Sequence, residues 1–267
     1  MTTSIQISST GSLCHVVLAN AGRCNALTAD YITSLTELLH SFRLATDDVP
    51  SAVILSGQTS EDTASFFCSG ADLASLYQAS SGHYAARRAG VDSLNALMRA
   101  VRACPCPVIA AVEGGADGAG VALALGCDLI VASEQARFTA TQMTAGLTPD
   151  AGLTLFLSAG LPRWLVAQML LTAAPVTAAR LYDLGVVNQL VSPGQAVTAA
   201  ADLAALMTGP PQAIRTTKRL LGQVARTSFD DQLEAEADAF ATALGSADGR
   251  ARLAARLEQV EKPKRTD

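Results

Sequence analysis

Charge, histidine and uninterrupted apolar runs are all scarce in this 267-residue chain, and each scarcity removes a class of function. Only 16% of the residues are charged and the net charge is −5, so no basic surface is available for a phosphate backbone and nucleic-acid binding is not expected. The three histidines, at 15, 40 and 83, stand away from cysteines and carboxylates at metal-ligand spacing, so no metal site is expected. Of six cysteines only Cys104 and Cys106 are close, in a Cys-Pro-Cys-Pro run that lacks the two-residue gap of a zinc knuckle. They read as small buried or half-buried thiols of a reducing compartment. No apolar run reaches membrane-spanning length without glycine, charge or proline, and residues 1–10 lack the basic and apolar regions of a signal peptide. The expectation is a cytoplasmic protein with no membrane partner. No internal repeat is evident.

What is present is a 49% apolar composition, ample for a buried core in one large domain or a domain with an appendage. Alternation and turn chemistry predict a hairpin over 4–8 and 13–18 around Thr10-Gly11-Ser12. Helical spacing of Ile32, Leu35, Leu38, Leu39 and Phe42 predicts a helix capped by Thr28, and a short buried strand follows over 52–55. Val91, Leu94, Leu97, Met98 and Val101 predict a second long helix, stopped by Pro105 and Pro107. Strands separated by helices imply β-α-β crossovers, an α/β class and a mainly parallel sheet. From Arg163 onward the pattern is mostly helical, with one short strand over 189–191. The reading divides the chain into a core over 1–195 and a helical region over 196–267, whose apolar stripes must be buried against the core or a neighbouring subunit.

The stretch 107–132 holds strand, glycine loop, helix and second strand in one short run. Glycines at 114, 115, 118 and 120 interrupt the apolar pattern before good helix formers resume at Val121. A helix start there leaves amide N–H groups without partners, at the positive end of the helix dipole, where ligand negative charge is stabilised. A second loop-to-helix turn lies at Gly70-Ala71. One donor from each turn, aimed at the same oxygen, makes an oxyanion hole. The alternative is tight packing of helix on sheet, which also needs small residues. A dinucleotide site fails on spacing: with Gly118 and Gly120 as the first two glycines, Leu123 occupies the third position. There is no Gly-Lys-Ser/Thr for a phosphate loop.

The order and spacing of Asn25-Ala26-Leu27, of the run from Phe67 to Leu73, of the 108–132 block, of Phe138 with Gly146-Leu147-Thr148-Pro149-Asp150, and of Leu184-Gly185-Val186-Val187 resemble the crotonase, or enoyl-CoA hydratase/isomerase, superfamily over essentially the whole chain. The resemblance implies a spiral of β-β-α units with a helical C-terminal trimerisation region, a homotrimer or dimer of trimers, and an acyl-CoA thioester substrate. Coenzyme A then arrives with the substrate, and no separate cofactor is implied. It also implies that the N–H groups of Ala71 and Ala119 are the oxyanion donors. Contacts to the acyl-CoA would come from Arg23, Cys24 and Ala26, from Ser69, Asp72 and Leu73, and from Gly118 and Gln142. Within the superfamily, the Gly118–Gly126 segment with 146–150 is more similar to the phenylacetate-pathway branch of ring-epoxide isomerases and oxepin-CoA enzymes than to fatty-acid hydratases.

The departures from the family pattern bear on the chemistry. Hydratases of the family use two glutamates as acid and base, and those positions hold Ala122 and Gln142, neither of which transfers a proton. Asp150, on the loop that in the family faces the thioester α-carbon, is the remaining candidate. One carboxylate that takes a proton from one carbon and returns it two carbons away suffices for a double-bond shift. Its structural alternative is a cap for a helix starting at Ala151. Asp117, directly before Gly118, is either a second acid/base group or a surface turn carboxylate near a helix start. Three readings therefore stand: an isomerase-like enzyme working through Asp150, a hydratase using Asp117 and Asp150 or Gln142 with a water, and an acyl-CoA binder without catalysis.

Overall fold

The computed structural model describes residues 5–45, 49–59 and 65–261. The chain divides into two compact units, Met1–Leu206 and Met207–Asp267.

The first unit opens with strands β1 (Gln6–Thr10) and β2 (Leu13–Leu18), an antiparallel hairpin around Gly11 and Ser12. The first strand runs two residues later than its alternation predicts, and Ser4 lies outside the described residues. Helix α1 (Ala29–Leu44) begins where the sequence places it, with the Thr28 side chain accepting from the Tyr31 N–H, and it buries Tyr31, Leu35 and Leu39.

Three β-β-α passages follow. The first is β3 (Ala52–Gly57), β4 (Phe66–Cys68) and α2 (Leu73–Ser80), succeeded by the long helix α3 (Tyr84–Ala103). The second is β5 (Val108–Val112), β6 (Gly115–Asp117) and α4 (Ala119–Gly126). The third is β7 (Leu129–Ser133), β8 (Arg137–Thr139) and, after a 3-10 turn over Thr141–Ala145, α5 (Leu153–Gly160). The unit closes with α6 (Arg163–Thr172), β9 (Val176–Thr177), α7 (Ala178–Asp183), β10 (Gln189–Val191) and α8 (Ala196–Ala205).

Each passage gives one strand to each of two sheets. The larger has the order β1-β2-β3-β5-β7-β10 and the smaller β4-β6-β8-β9. Apart from the β1–β2 hairpin, the larger sheet is parallel throughout. Its central strands read as continuous apolar runs because a parallel strand inside such a sheet is covered on both faces. All of β5, and all of β3 up to Gly57, is buried. Strand β2 has β1 as its outer neighbour and alternates, burying Cys14, Val16 and Leu18. The mixed α/β architecture and the succession of β-β-α units are those that the resemblance implies; the second sheet is an addition to the single parallel sheet read from periodicity.

Helix α8 packs on β3, β5 and β7, so it belongs with the first unit, and the expected boundary after residue 195 falls one helix short of the division after Leu206. The second unit is helical: α9 (Pro211–Gln223) and α11 (Ala247–Glu261) both pack against α10 (Phe229–Gly245). Among the described residues, no helix is long and apolar enough to cross a membrane.

Candidate active site

Two segments far apart in sequence, 23–27 and 68–73, are laced together beside β4. The Leu27 N–H donates to the Gly70 carbonyl at 2.7 Å, the Asp72 N–H to the Leu27 carbonyl at 3.3 Å and the Ser69 N–H to the Cys24 carbonyl at 2.9 Å. Asn25 anchors the arrangement. It is fully buried, its Oδ1 accepts from the Asn20 N–H, and its Nδ2 donates to the carbonyls of Gln58 and Phe66 at 3.0 and 2.7 Å. Cys24 and Asn25 both sit in the left-handed region, at φ of 50° and 54°, a conformation those hydrogen bonds hold in place. Asn25 was visible in sequence only as part of a motif, and its role as the tie between three segments emerges from the geometry.

Six of the eight residues expected to contact the acyl-CoA meet here: Arg23, Cys24, Ala26, Ser69, Asp72 and Leu73 share one corner of the fold, while Gly118 and Gln142 lie at the second turn. The Asp72 carboxylate is already committed. It accepts from the Ser75 N–H and Ser75 Oγ, both at 2.8 Å, capping α2, and pairs with the Arg23 guanidinium at 2.7 Å. Burial opposes its charge, and these partners outweigh burial to leave its pKa below the ordinary carboxylate value. Leu73, by contrast, is 71% exposed, and Ala26 is buried.

The hydrogen bonds that flank Ala71 decide where its amide points. Gly70 offers its carbonyl and Asp72 its N–H to Leu27, so by strand alternation the Ala71 N–H faces the opposite way. On that other side lies the second turn. A Cβ placed on Gly70 would stand 2.6 Å from the Asp117 carbonyl oxygen and 3.0 Å from the Ala119 nitrogen, and Gly70 itself has a φ of +86°. Only glycine lets the two turns approach so closely. Ala119 is the first residue of α4, and among the described residues neither its N–H nor that of Ala71 has a hydrogen-bond partner. Packing alone would be satisfied with one close approach; two unpaired donors beside it add the chemistry of an anion site.

Behind the first turn, the buried Cys68 thiol accepts from the Gly70 N–H at 3.3 Å. Burial above all, then the nearby Asp117 charge, pushes the Cys68 pKa up to about 12, so it stays a neutral thiol at physiological pH. The other cysteines match the thiol reading too: Cys14, Cys104, Cys106 and Cys127 are buried, Cys24 is half-buried, and all six are free of disulfides.

Asp117 ends strand β6 rather than standing on a surface turn. It is half-buried, burial raises its pKa, and a hydrogen bond from the Thr139 side chain opposes that rise. A carboxyl whose pKa is raised by folding favours the folded state while protonated and loses that advantage as pH rises through its folded value. Asp117→Asn is therefore expected to raise Tm at pH 7, with the gain shrinking to nothing as pH falls below about 4, where the aspartate is neutral as well. Thermal melts of both proteins across that range read the difference, and a gain independent of pH would assign it to something other than the carboxylate.

Gln142 and Asp150 lie together. The Gln142 Nε2 donates to Asp150 Oδ1 at 3.2 Å and stands 3.6 Å from where a Cβ on Gly118 would be, so the pair adjoins the Ala119 turn. Gln142 Oε1 is buried and has no partner among the described residues, a state that costs about 1–3 kcal/mol unless something donates to it. The capping role considered for Asp150 does not hold. Ala151 and Gly152 take φ of +52° and +79°, α5 starts at Leu153 instead of Ala151, and its N-cap is Gly152 with no side-chain cap. A left-handed alanine costs roughly 1–2 kcal/mol, and this one directly follows the candidate proton carrier. Ala122 is fully buried one turn into α4, an apolar side chain.

The family model described as enoyl-CoA hydratase/isomerase matches residues 8–264. The chain is 27% identical over 250 residues to a short-chain-enoyl-CoA hydratase of Clostridium acetobutylicum, covering 93% of this chain and 92% of that one. It is 30% identical over 236 residues to a crotonyl-CoA hydratase of Syntrophomonas wolfei, covering 88% and 87%. Among solved structures, an enoyl-CoA hydratase from Polaromonas sp. JS666 superposes with a TM-score of 0.89 at 31% identity, over 96% of this chain and 97% of the other.

Proposed function

Because the chain belongs to the enoyl-CoA hydratase/isomerase family, we propose that it binds an unsaturated acyl-CoA thioester and isomerises a double bond, in a chain or a ring, by moving one proton through Asp150. The observation that carries this reading is the abutment of Gly70 against Ala119, which sets two unpaired amide donors beside one another. Removing a proton from the acyl chain leaves an enolate whose charge rests on the thioester oxygen. The N–H groups of Ala71 and Ala119 stabilise that oxygen by roughly 3 kcal/mol each. Asp150, as the base, takes the proton from one carbon and returns it two carbons away, so nothing is consumed and no second acid is needed. Coenzyme A enters as part of the substrate, held along Arg23, Cys24, Ala26, Ser69 and Leu73. The side chains at 122 and 142 cannot exchange protons, which favours one-carboxylate chemistry over addition of water.

A hydratase reading draws support from Asp117, whose burial-raised pKa suits a proton donor, and from the relatives named as hydratases. One experiment separates the readings. A panel of saturated, unsaturated, aromatic and ring-epoxide CoA thioesters is incubated in deuterated water and, in parallel, in water labelled with heavy oxygen. Isomerisation predicts deuterium at the α- and γ-carbons without oxygen incorporation. Oxygen in the product supports hydration, and thermal stabilisation by acyl-CoA with neither label supports a binder without catalysis.

We further propose that the enzyme works as a homotrimer or a pair of trimers. Phe229, Phe240 and Leu221 of the second unit are 76%, 72% and 68% exposed, an apolar surface that self-association would cover.

A further inference from the structure

We propose that Gln142 is a positioning residue: its amide holds the Asp150 carboxylate in one orientation and, being an amide, sets no second carboxylate in hydrogen-bonding contact with it. This rests on the reading of Asp150 as the proton carrier. The hydrogen bond from Nε2 to Oδ1 spans eight residues, across the 3-10 turn and the left-handed Gly146, and it is the tie that Gln142 makes. A glutamine serving the scaffold would be secured at both ends of its amide. Here the buried Oε1 has no partner among the described residues, and the side-chain hydrogen bond that orients the amide is the one to Asp150.

The surroundings sharpen the role. The 3-10 turn, α4 and α5 carry no titratable side chain besides Asp150 just ahead of α5. Of the elements packed against them, β6 brings Asp117, β4 the buried Cys68 thiol and α6 the exposed Arg163, while the titratable groups of α3, Tyr84, Arg87, Arg88, Asp92, Arg99 and Arg102, are all exposed. A carboxylate at 142 would place two acids at hydrogen-bonding distance, where they share one proton and titrate as a pair. The glutamine prevents that sharing while keeping the same length and planar end group. It thereby turns a position suited to two-carboxylate chemistry into support for a single base.

The test uses Gln142→Glu, Gln142→Ala and Asp150→Asn in the full chain, with deuterium exchange on the thioester that wild type turns over, followed across pH. Gln142→Ala is expected to lower kcat about 10- to 100-fold with KM within about threefold, as for a group that acts only on the chemical step. Gln142→Glu, close to isosteric, is expected to displace the pH dependence of kcat upward by about one unit or more, because the pair then holds a shared proton. A purely structural glutamine would leave that profile where it is. If Asp150→Asn is inactive while both Gln142 variants keep the wild-type kcat and pH profile, this inference falls and the Asp150 reading stands. If Asp150→Asn retains turnover, or wild type exchanges no proton on any thioester of the panel, both fall.

Discussion

Asp150→Asn is expected to reduce turnover of an unsaturated acyl-CoA by about 10²- to 10⁴-fold, the usual contribution of a positioned general base. Asparagine has the same size and can still accept from Gln142 Nε2 through its carbonyl oxygen, so the local backbone has no reason to move. The left-handed turn at Ala151 and Gly152 is also untouched. What disappears is the capacity to take up a proton. Acyl-CoA binding is expected to change little, since the two amide donors and the corner formed by residues 23–27 and 69–73 do not depend on it. Calorimetric titration with a non-reacting saturated thioester, beside deuterium exchange on a reacting one, separates the two effects. Unchanged exchange would remove Asp150 from the mechanism; loss of binding in step with turnover would make it a substrate contact.

The pairing of Asp150 with Gln142 was not legible in sequence, and the reason is local geometry. Pro149-Asp150-Ala151-Gly152 has the look of an aspartate capping a helix, because propensity assigns alanine to a helix and glycine to its neighbourhood. In the folded chain both residues after Asp150 are left-handed, which delays the helix by two residues and frees the carboxylate to meet Gln142. Nothing in the composition of that tetrapeptide announces an alanine at positive φ. The preceding 3-10 turn over Thr141–Ala145 is equally silent, since five residues carry too little periodicity to be read.

The same limit explains the second sheet. Helices α1 and α3 and the buried strands β3 and β5 are long or apolar enough for spacing to identify them. Strands β4, β6 and β8 have three residues each, and β6 is Gly115-Ala116-Asp117, which by propensity reads as loop. They are strands because each finds a parallel neighbour from the adjoining pass of the chain, a tertiary cause. The two turns of the site, in contrast, were legible. Glycine followed by small residues at a helix start is dictated by the need for close backbone approach, and that need is written in residue type. Helix α8 shows the converse: its amphipathic pattern resembles those of the helices after it, and only its partners β3, β5 and β7 assign it to the first unit.

Gly70→Ala tests the approach of the two turns directly. The added Cβ would lie 2.6 Å from the Asp117 carbonyl oxygen and 3.0 Å from the Ala119 nitrogen, both of them backbone atoms that cannot rotate away. The residue would also be held at a φ of +86°, a conformation that costs an L side chain roughly 1–2 kcal/mol. Relief comes only by parting the turns, which draws Ala119 away from Ala71 and leaves one amide in reach of the thioester oxygen. Losing one such donor is expected to lower kcat about 10²- to 10³-fold. The fold should survive, because the buried sheet and Asn25 lie on the other side of the turn, and a cost of a few kcal/mol corresponds to a Tm lower by about 5–10 °C in a chain of this size. Melting curves and deuterium exchange on the same preparation distinguish the outcomes. A protein with that modest loss of Tm and wild-type exchange would show that the amides of Ala71 and Ala119 do not act on one oxygen, and the oxyanion site would have to be sought elsewhere in the fold.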